Sequence, residues 1–223
     1  MTQQLTKKEW LKSGSLLLAY LLFLEIIPRQ RLFSLRHILP PTWRTTFGLN
    51  ALLYALPILL MLLFYSQHIM QNFSYFRQQT GQRIKQLLLY YFTILLLNSV
   101  VARLVGQQAA NQNAVNDATK GTPIWATFLL FVLLGPMLEE TVFRQILLSN
   151  LSQLIPKWLA AIISGSAFVL IHVNAPQDII LYAPLGIVFT MAYLRQQENI
   201  SFTYSLHLLN NIVALLVSTF LIH

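Results

Sequence analysis

Long apolar runs separated by short polar stretches set the pattern of this chain. A helix that crosses the hydrocarbon core of a bilayer needs about 20 mostly apolar residues, within a range of roughly 17–25. By that ruler seven segments predict membrane helices: Ser13–Pro28, Phe47–His68, Gln86–Val105, Ile124–Leu151, Trp158–Val173, Asp178–Leu194 and Ile200–Ile222. The first is short and carries Glu25, which leaves a re-entrant or interfacial helix as its alternative. Lys7, Lys8 and Lys12 precede it as in a secretory signal, but Pro28-Arg29-Gln30-Arg31 follows in place of a small-residue cleavage site. The segment therefore reads as an uncleaved anchor.

The expected fold is all-α: a polytopic transmembrane bundle of about seven helices, six to eight allowing for the first segment. Gln107–Thr122, rich in Gln, Asn and Ala, is the longest polar linker after the Arg-rich stretch Arg29–Arg44. It divides an N-terminal region, residues 1–123, from a C-terminal core, residues 124–223, whose four helices hold the candidate chemistry.

Composition supports the membrane. Of 223 residues 56% are hydrophobic and only 10% charged, with a mean hydropathy of +0.58. Soluble domains carry roughly 25% charged residues. No cysteine is present, which excludes disulfides, thiolate metal sites and a cysteine nucleophile. The net charge of +8 comes from Lys and Arg lying mainly between apolar runs, the arrangement of membrane-flanking charge. No phosphate loop, zinc finger or RNA-binding signature accompanies it, so nucleic acid is not an expected partner. The expected partners are the lipid bilayer and a peptide or protein substrate. With the N-terminus inside, Lys7, Lys8, Lys12, Arg77, Arg83, Lys85, Lys157 and Arg195 fall inside, against Arg29, Arg31, Arg36, Arg44 and Lys120 outside. This bias favours a cytoplasmic N-terminus.

Charge within the apolar runs needs a reason, because an acidic or basic residue at a membrane helix centre costs roughly 2.5–3.5 kcal/mol. Glu139, Glu140 and Arg144 share one segment. At about 100° per residue, Glu140 and Arg144 lie some 40° apart, whereas Glu139 points roughly 140° away from Arg144. Glu140 is thus placed to neutralise Arg144, the kind of pair that can merely hold helices together. Glu139, which no cation neutralises, is the general-base candidate.

His172 lies deep in the next segment. If the two helices form a hairpin turning near Pro156, Glu139 and His172 stand about 16 and 17 residues from the turn, at equal depth. In the last segment His207 and Asn211 are i and i+4 and face one cavity; as polar glue between helices they need no catalytic role. Counted from the turn near Gln197, His207 is about two helical turns shallower than His172, and only Asn211 approaches its level. Glu25, Asn98 and Arg103 sit near segment ends, and His37, His68 and His223 in or beside loops; none is assigned chemistry.

Three motifs now stand in order: E-E-x-x-x-R at Glu139–Arg144, F-x-x-x-H at Phe168–His172 and H-x-x-x-N at His207–Asn211. Together they resemble the membrane-embedded CAAX protease and bacteriocin-processing family, also called the Abi family. Pro136, Phe143 and Gly186 fit the same pattern. The resemblance covers roughly Leu134 to Leu215, and it departs at residues 195–199, Arg-Gln-Gln-Glu-Asn, where relatives often carry a short Thr-Gly turn. It implies a glutamate-dependent intramembrane endopeptidase in which Glu139 and His172 activate water and His207 and Asn211 stabilise the oxyanion, with Glu140 and Arg144 in support. Peptide pheromones, bacteriocin precursors or self-immunity against a bacteriocin are the implied biology, in a bacterial cell membrane.

No cofactor is required by that scheme. A zinc peptidase with Glu139, His172 and His207 as ligands is the alternative, although no H-E-x-x-H helix is present. A non-catalytic scaffold or immunity protein of the same fold is another, and a transporter a third, disfavoured because no inverted repeat is visible.

Overall fold

The computed structural model describes residues 4–27, 40, 42–106 and 122–220. Among them it is all-helical, with seven rods: α1, Lys7–Tyr20, widening into π-helical turns over Leu21–Ile26; α2, Trp43–Gln78; α3, Thr80–Val105; α4, Ile124–Gln153; α5, Lys157–Ile171; α6, Asp178–Arg195; and α7, Ile200–Phe220. The expected polytopic helical bundle is what forms. Five rods, α2, α3, α4, α6 and α7, are long and apolar enough to cross a membrane. The 15 residues of α5 rise only about 22 Å, short of a hydrocarbon core of about 30 Å. The Arg-rich stretch from Arg29 to His37, the linker residues from Gln107 to Lys120, and His223 lie outside the described residues.

α2 overruns the predicted Phe47–His68. Its 36 residues continue through the polar sequence after His68, because that end packs on α7. Phe76 stacks on Phe202, Phe73 meets Tyr204 edge-on, and Asn72 takes hydrogen bonds from Asn199 and the Ile200 amide. Tertiary contact here overrides the loss of hydropathy that ended the predicted segment. His68, expected beside a loop, is inside α2 and shares a hydrogen bond with Asn72. Only Gln79 separates α2 from α3, so Arg77, Arg83 and Lys85 sit on helix ends rather than in a loop.

Arg83 and Lys157 lie at one end of the bundle, with the chain's first described residues. The Leu5 amide donates to Gln153, Arg83 donates to Gln196, and Lys157 pairs with Glu198. The connection from α6 to α7 lies at this end and is recessed: Gln196, Asn199 and Ile200 are all buried. Gln197 and Glu198 adopt left-handed backbone, with φ of 58° and 54°, a conformation that glycine enters freely and other residues do not. The strain is held by the side chain of Glu198, which accepts from Ser149 Oγ at 2.5 Å and from Lys157, while Tyr193 donates to Ser149. Burial works to raise the pKa of Glu198, yet the Lys157 and Ser149 hydrogen bonds outweigh it and hold the carboxyl below its ordinary value.

Close backbone approach joins α5 to α6. A Cβ on Gly186 would stand 2.7 Å from Val169 Cγ2 and 3.0 Å from the Gly165 carbonyl oxygen. Small residues at such crossings let membrane helices touch through their backbones.

Gly186→Ala is expected to destabilise the protein by about 1–3 kcal/mol, read as a lower melting temperature in detergent; unchanged melting would refute the tight crossing. The Glu198 clamp gives a pH effect. A carboxyl lowered by folding contributes stability above its unfolded value of about 4.5 and loses it as pH falls through the lower folded value. The melting temperature of wild type should therefore fall in acid below pH 4.5 more steeply than that of Glu198→Gln.

Candidate functional site

The site is built around a break in α4. The turns over Phe128–Leu134 are π-helical, with the Gly135 amide bonded to the Leu130 carbonyl five residues back. The next amide in that pattern would come from Pro136, which has none, so the Phe131 carbonyl loses its helical partner. Asn211 of α7 fills the vacancy, donating Nδ2 to Phe131 O at 3.0 Å, and Tyr204 donates to Leu133 O at 3.3 Å. The short α-helical stretch Gly135–Glu140 follows and carries both glutamates.

Glu140 and Arg144 are completely buried and paired, Nε to Oε2 at 3.3 Å. Arg144 also donates to Ser164 Oγ of α5 at 3.2 Å, and its guanidinium lies over the rings of Phe168 and Phe189, 5.1 and 6.0 Å from their centroids. Ser164 in turn donates to the Phe143 carbonyl. The other oxygen of Glu140 has a partner that sequence reasoning missed: His207 Nδ1 at 3.0 Å. A carboxylate accepts, so His207 carries its proton on Nδ1 and turns Nε2 outward.

Glu139 lies on the other side of that ring. Its Oε2 is 3.9 Å from His207 Nε2 and 3.9 Å from His172 Nε2. His172 is fixed in the same sense as His207. Its Nδ1 is 2.8 Å from the Phe168 carbonyl, which can only accept, so the proton sits on Nδ1 and the lone pair on Nε2. Phe168 and Tyr182 hold the His172 ring between them, with centroids at 4.8 and 4.9 Å, and Phe189 packs on His207 at 4.8 Å. Glu139 Oε2 is buried without a hydrogen-bond partner. A separation of 3.9 Å is too long for a direct hydrogen bond and suits one bridging water.

The structure thus brings Glu139, His172 and His207 together and sets Glu140 and Arg144 behind them. His172 caps α5 instead of lying within it, since the helix stops at Ile171. The expectation that His207 sits two turns shallower fails: it meets Glu139 at the same distance as His172 does. The recessed connection before Ile200 starts α7 deeper in the bundle than a surface turn would. Asn211 stands one turn beyond His207, and one of its two amide hydrogens is engaged by Phe131. Tyr182 gave no sequence signal, being one aromatic residue among many. Among the described residues no three His, Asp or Glu side chains gather closely enough to hold a metal ion as they stand.

Fold and site together define an integral membrane protein with a carboxylate–histidine centre enclosed by its C-terminal helices. Residues 121–213 match the family model described as type II CAAX prenyl endopeptidase Rce1-like, which bears out the family resemblance of the three motifs. Among curated proteins the chain is similar to UPF0177 protein YbdJ of Lactococcus lactis, 31% identical over 44% of this chain and 43% of that one. It is also similar to the Bacillus subtilis protein named "Putative membrane peptidase YdiL", 27% identical over 42% of this chain and 37% of that one. UPF0177 protein YbdI of Lactococcus lactis is 30% identical over 40% and 47%. The matched part spans less than half the length of each of these relatives. No solved structure matches the chain.

Because Glu140 is the carboxylate paired with Arg144 among the described residues, Glu140→Gln is expected to destabilise by about 3–5 kcal/mol, the effect of leaving a buried cation unpaired, while Glu139→Gln leaves stability near wild type. Thermal unfolding of both variants in one detergent compares them; equal stability would remove the pairing argument.

Proposed function

We propose that this protein is an intramembrane endopeptidase that hydrolyses a peptide bond with a water held between Glu139 and His172. The observation that carries the reading is the buried, partnerless Oε2 of Glu139, faced at 3.9 Å by two imidazole nitrogens whose protons point elsewhere. The match to the Rce1-like family and the similarity to a protein named as a membrane peptidase support it.

In this mechanism Glu139 takes one proton from the water while His172 Nε2 accepts a hydrogen bond from the remaining O–H and orients the attack. The oxygen bonds to the substrate's carbonyl carbon, and the carbonyl becomes a tetrahedral oxyanion. Asn211, with one amide hydrogen still uncommitted, donates to that oxyanion. His207 can donate beside it when Nε2 carries a second proton, the ring being held in place by Glu140. Collapse breaks the C–N bond, and Glu139 returns its proton to the leaving amine. The products are a carboxylic acid and an amine, with no covalent enzyme intermediate.

The substrate class is a peptide such as a bacteriocin, a pheromone or its precursor, or a bacteriocin met in self-immunity, and the location is the bacterial plasma membrane. A zinc centre on Glu139, His172 and His207 predicts a different result from the water mechanism. Under the water mechanism, peptide cleavage by purified protein in liposomes survives dialysis against a chelator; loss that added zinc restores would replace it.

Glu139→Ala is expected to abolish cleavage while remaining folded and membrane-inserted. Since Glu139 and His172 act on one water, the double variant should be little slower than either single variant. Losses that simply multiply would refute the shared water, and full cleavage or full immunity in Glu139→Ala would make the protein a non-catalytic scaffold. His207→Ala is expected to slow turnover by about 10²–10³-fold.

A further inference from the structure

The N-terminal helices bring their own polar groups to the site. α2 runs beside α4 in the same direction: Trp43 and Phe47 meet Trp125 near the start of both, and Tyr54 meets Phe131 edge-on further along, centroids 6.3 Å apart. The Tyr54 hydroxyl lies 3.6 Å from where a Cβ on Gly135 would stand. Gly135 and Glu139 are i and i+4, on one face of α4 and a single turn apart. Tyr54 Oη therefore hangs over the turn immediately preceding the base.

The same turn holds the Asn211 amide, through the Phe131 carbonyl. Phe131 is thus shared, its ring edge against Tyr54 and its carbonyl bonded to Asn211. Tyr20 of α1, by contrast, is packed against Phe143 and buried, 2% exposed. Tyr54 is only partly buried, and its hydroxyl stands beside Gly135, on the face of α4 that carries Glu139. A phenol suits that place, with an apolar ring for the membrane interior and one strong neutral donor at its tip.

We propose that Tyr54 is a further catalytic residue, donating a hydrogen bond to the substrate's carbonyl oxygen alongside Asn211, so that the oxyanion is held between α2 and α7. The proposal rests on the peptidase reading. It makes the N-terminal region part of the active site, with a donor that no motif marks.

Tyr54→Phe tests it, because it removes the hydroxyl and keeps the ring on Phe131. Wild type, Glu139→Gln and Tyr54→Phe, each reconstituted in liposomes, are incubated with a proteome-derived peptide library, and cleaved peptides are identified by mass spectrometry. The fastest peptide is then synthesised for steady-state kinetics. The expected result is a kcat lowered about ten- to hundred-fold in Tyr54→Phe, with KM within about twofold and an unchanged melting temperature. A wild-type kcat in Tyr54→Phe, with cleavage still lost in Glu139→Gln, overturns the proposal and leaves the peptidase standing. A raised KM or a lowered melting temperature with kcat preserved assigns Tyr54 to packing and overturns it equally. Absence of any Glu139-dependent cleavage by wild type removes the peptidase reading and the proposal with it.

Discussion

A guanidinium with no exposed surface, in the middle of a membrane helix, is the constraint from which the C-terminal core follows. Arg144 cannot be left unpaired in a medium of low dielectric constant, and water is not available to pair it. It is answered by Glu140 on its own helix, by Ser164 on α5 and by the faces of Phe168 and Phe189 on α5 and α6. Glu140 then reaches across to His207 on α7. Four helices are thereby registered on one cation, and Glu139, next in sequence to Glu140, is delivered to the space that remains.

That logic explains what could be read in the sequence. Helix periodicity separated Glu139 from Glu140, because i and i+4 neighbours share a face and Glu139 is not one for Arg144. Counting residues back from Pro156 put Glu139 and His172 at one depth, because α4 and α5 form an antiparallel pair with a short turn. The same counting failed for His207. It assumes that a turn lies at the surface, and the turn before Ile200 does not; its position depends on Asn72, Ser149 and Lys157, which are remote in sequence. The contact between His207 and Glu140 was invisible for the same reason. The end of α2 was misplaced because hydropathy records preference for lipid, while Phe73 and Phe76 stay helical by packing on α7.

Asn211 shows how structural and chemical roles overlap in a membrane helix. Pro136 removes a backbone donor inside the bilayer, where a lost hydrogen bond is not replaced by solvent. An amide side chain supplies the replacement and keeps a second hydrogen for other use. A motif residue of this kind is held in place by the defect it repairs, and its orientation comes from backbone geometry rather than from a second side chain.

The shortness of α5 bears on supply. The proposed hydrolysis would consume one water per turnover, and a centre walled by lipid tails would starve. α5 ends at Ile171, about 8 Å short of a full crossing by the 1.5 Å rise per residue, and hands over to Val173-Asn174-Ala175-Pro176-Gln177, with Asn174 exposed. Where the helix stops, polar chain begins, and the exposed Asn174 stands two residues beyond His172. For the proposed hydrolysis, the early end of α5 means that polar chain, rather than another turn of apolar helix, adjoins His172.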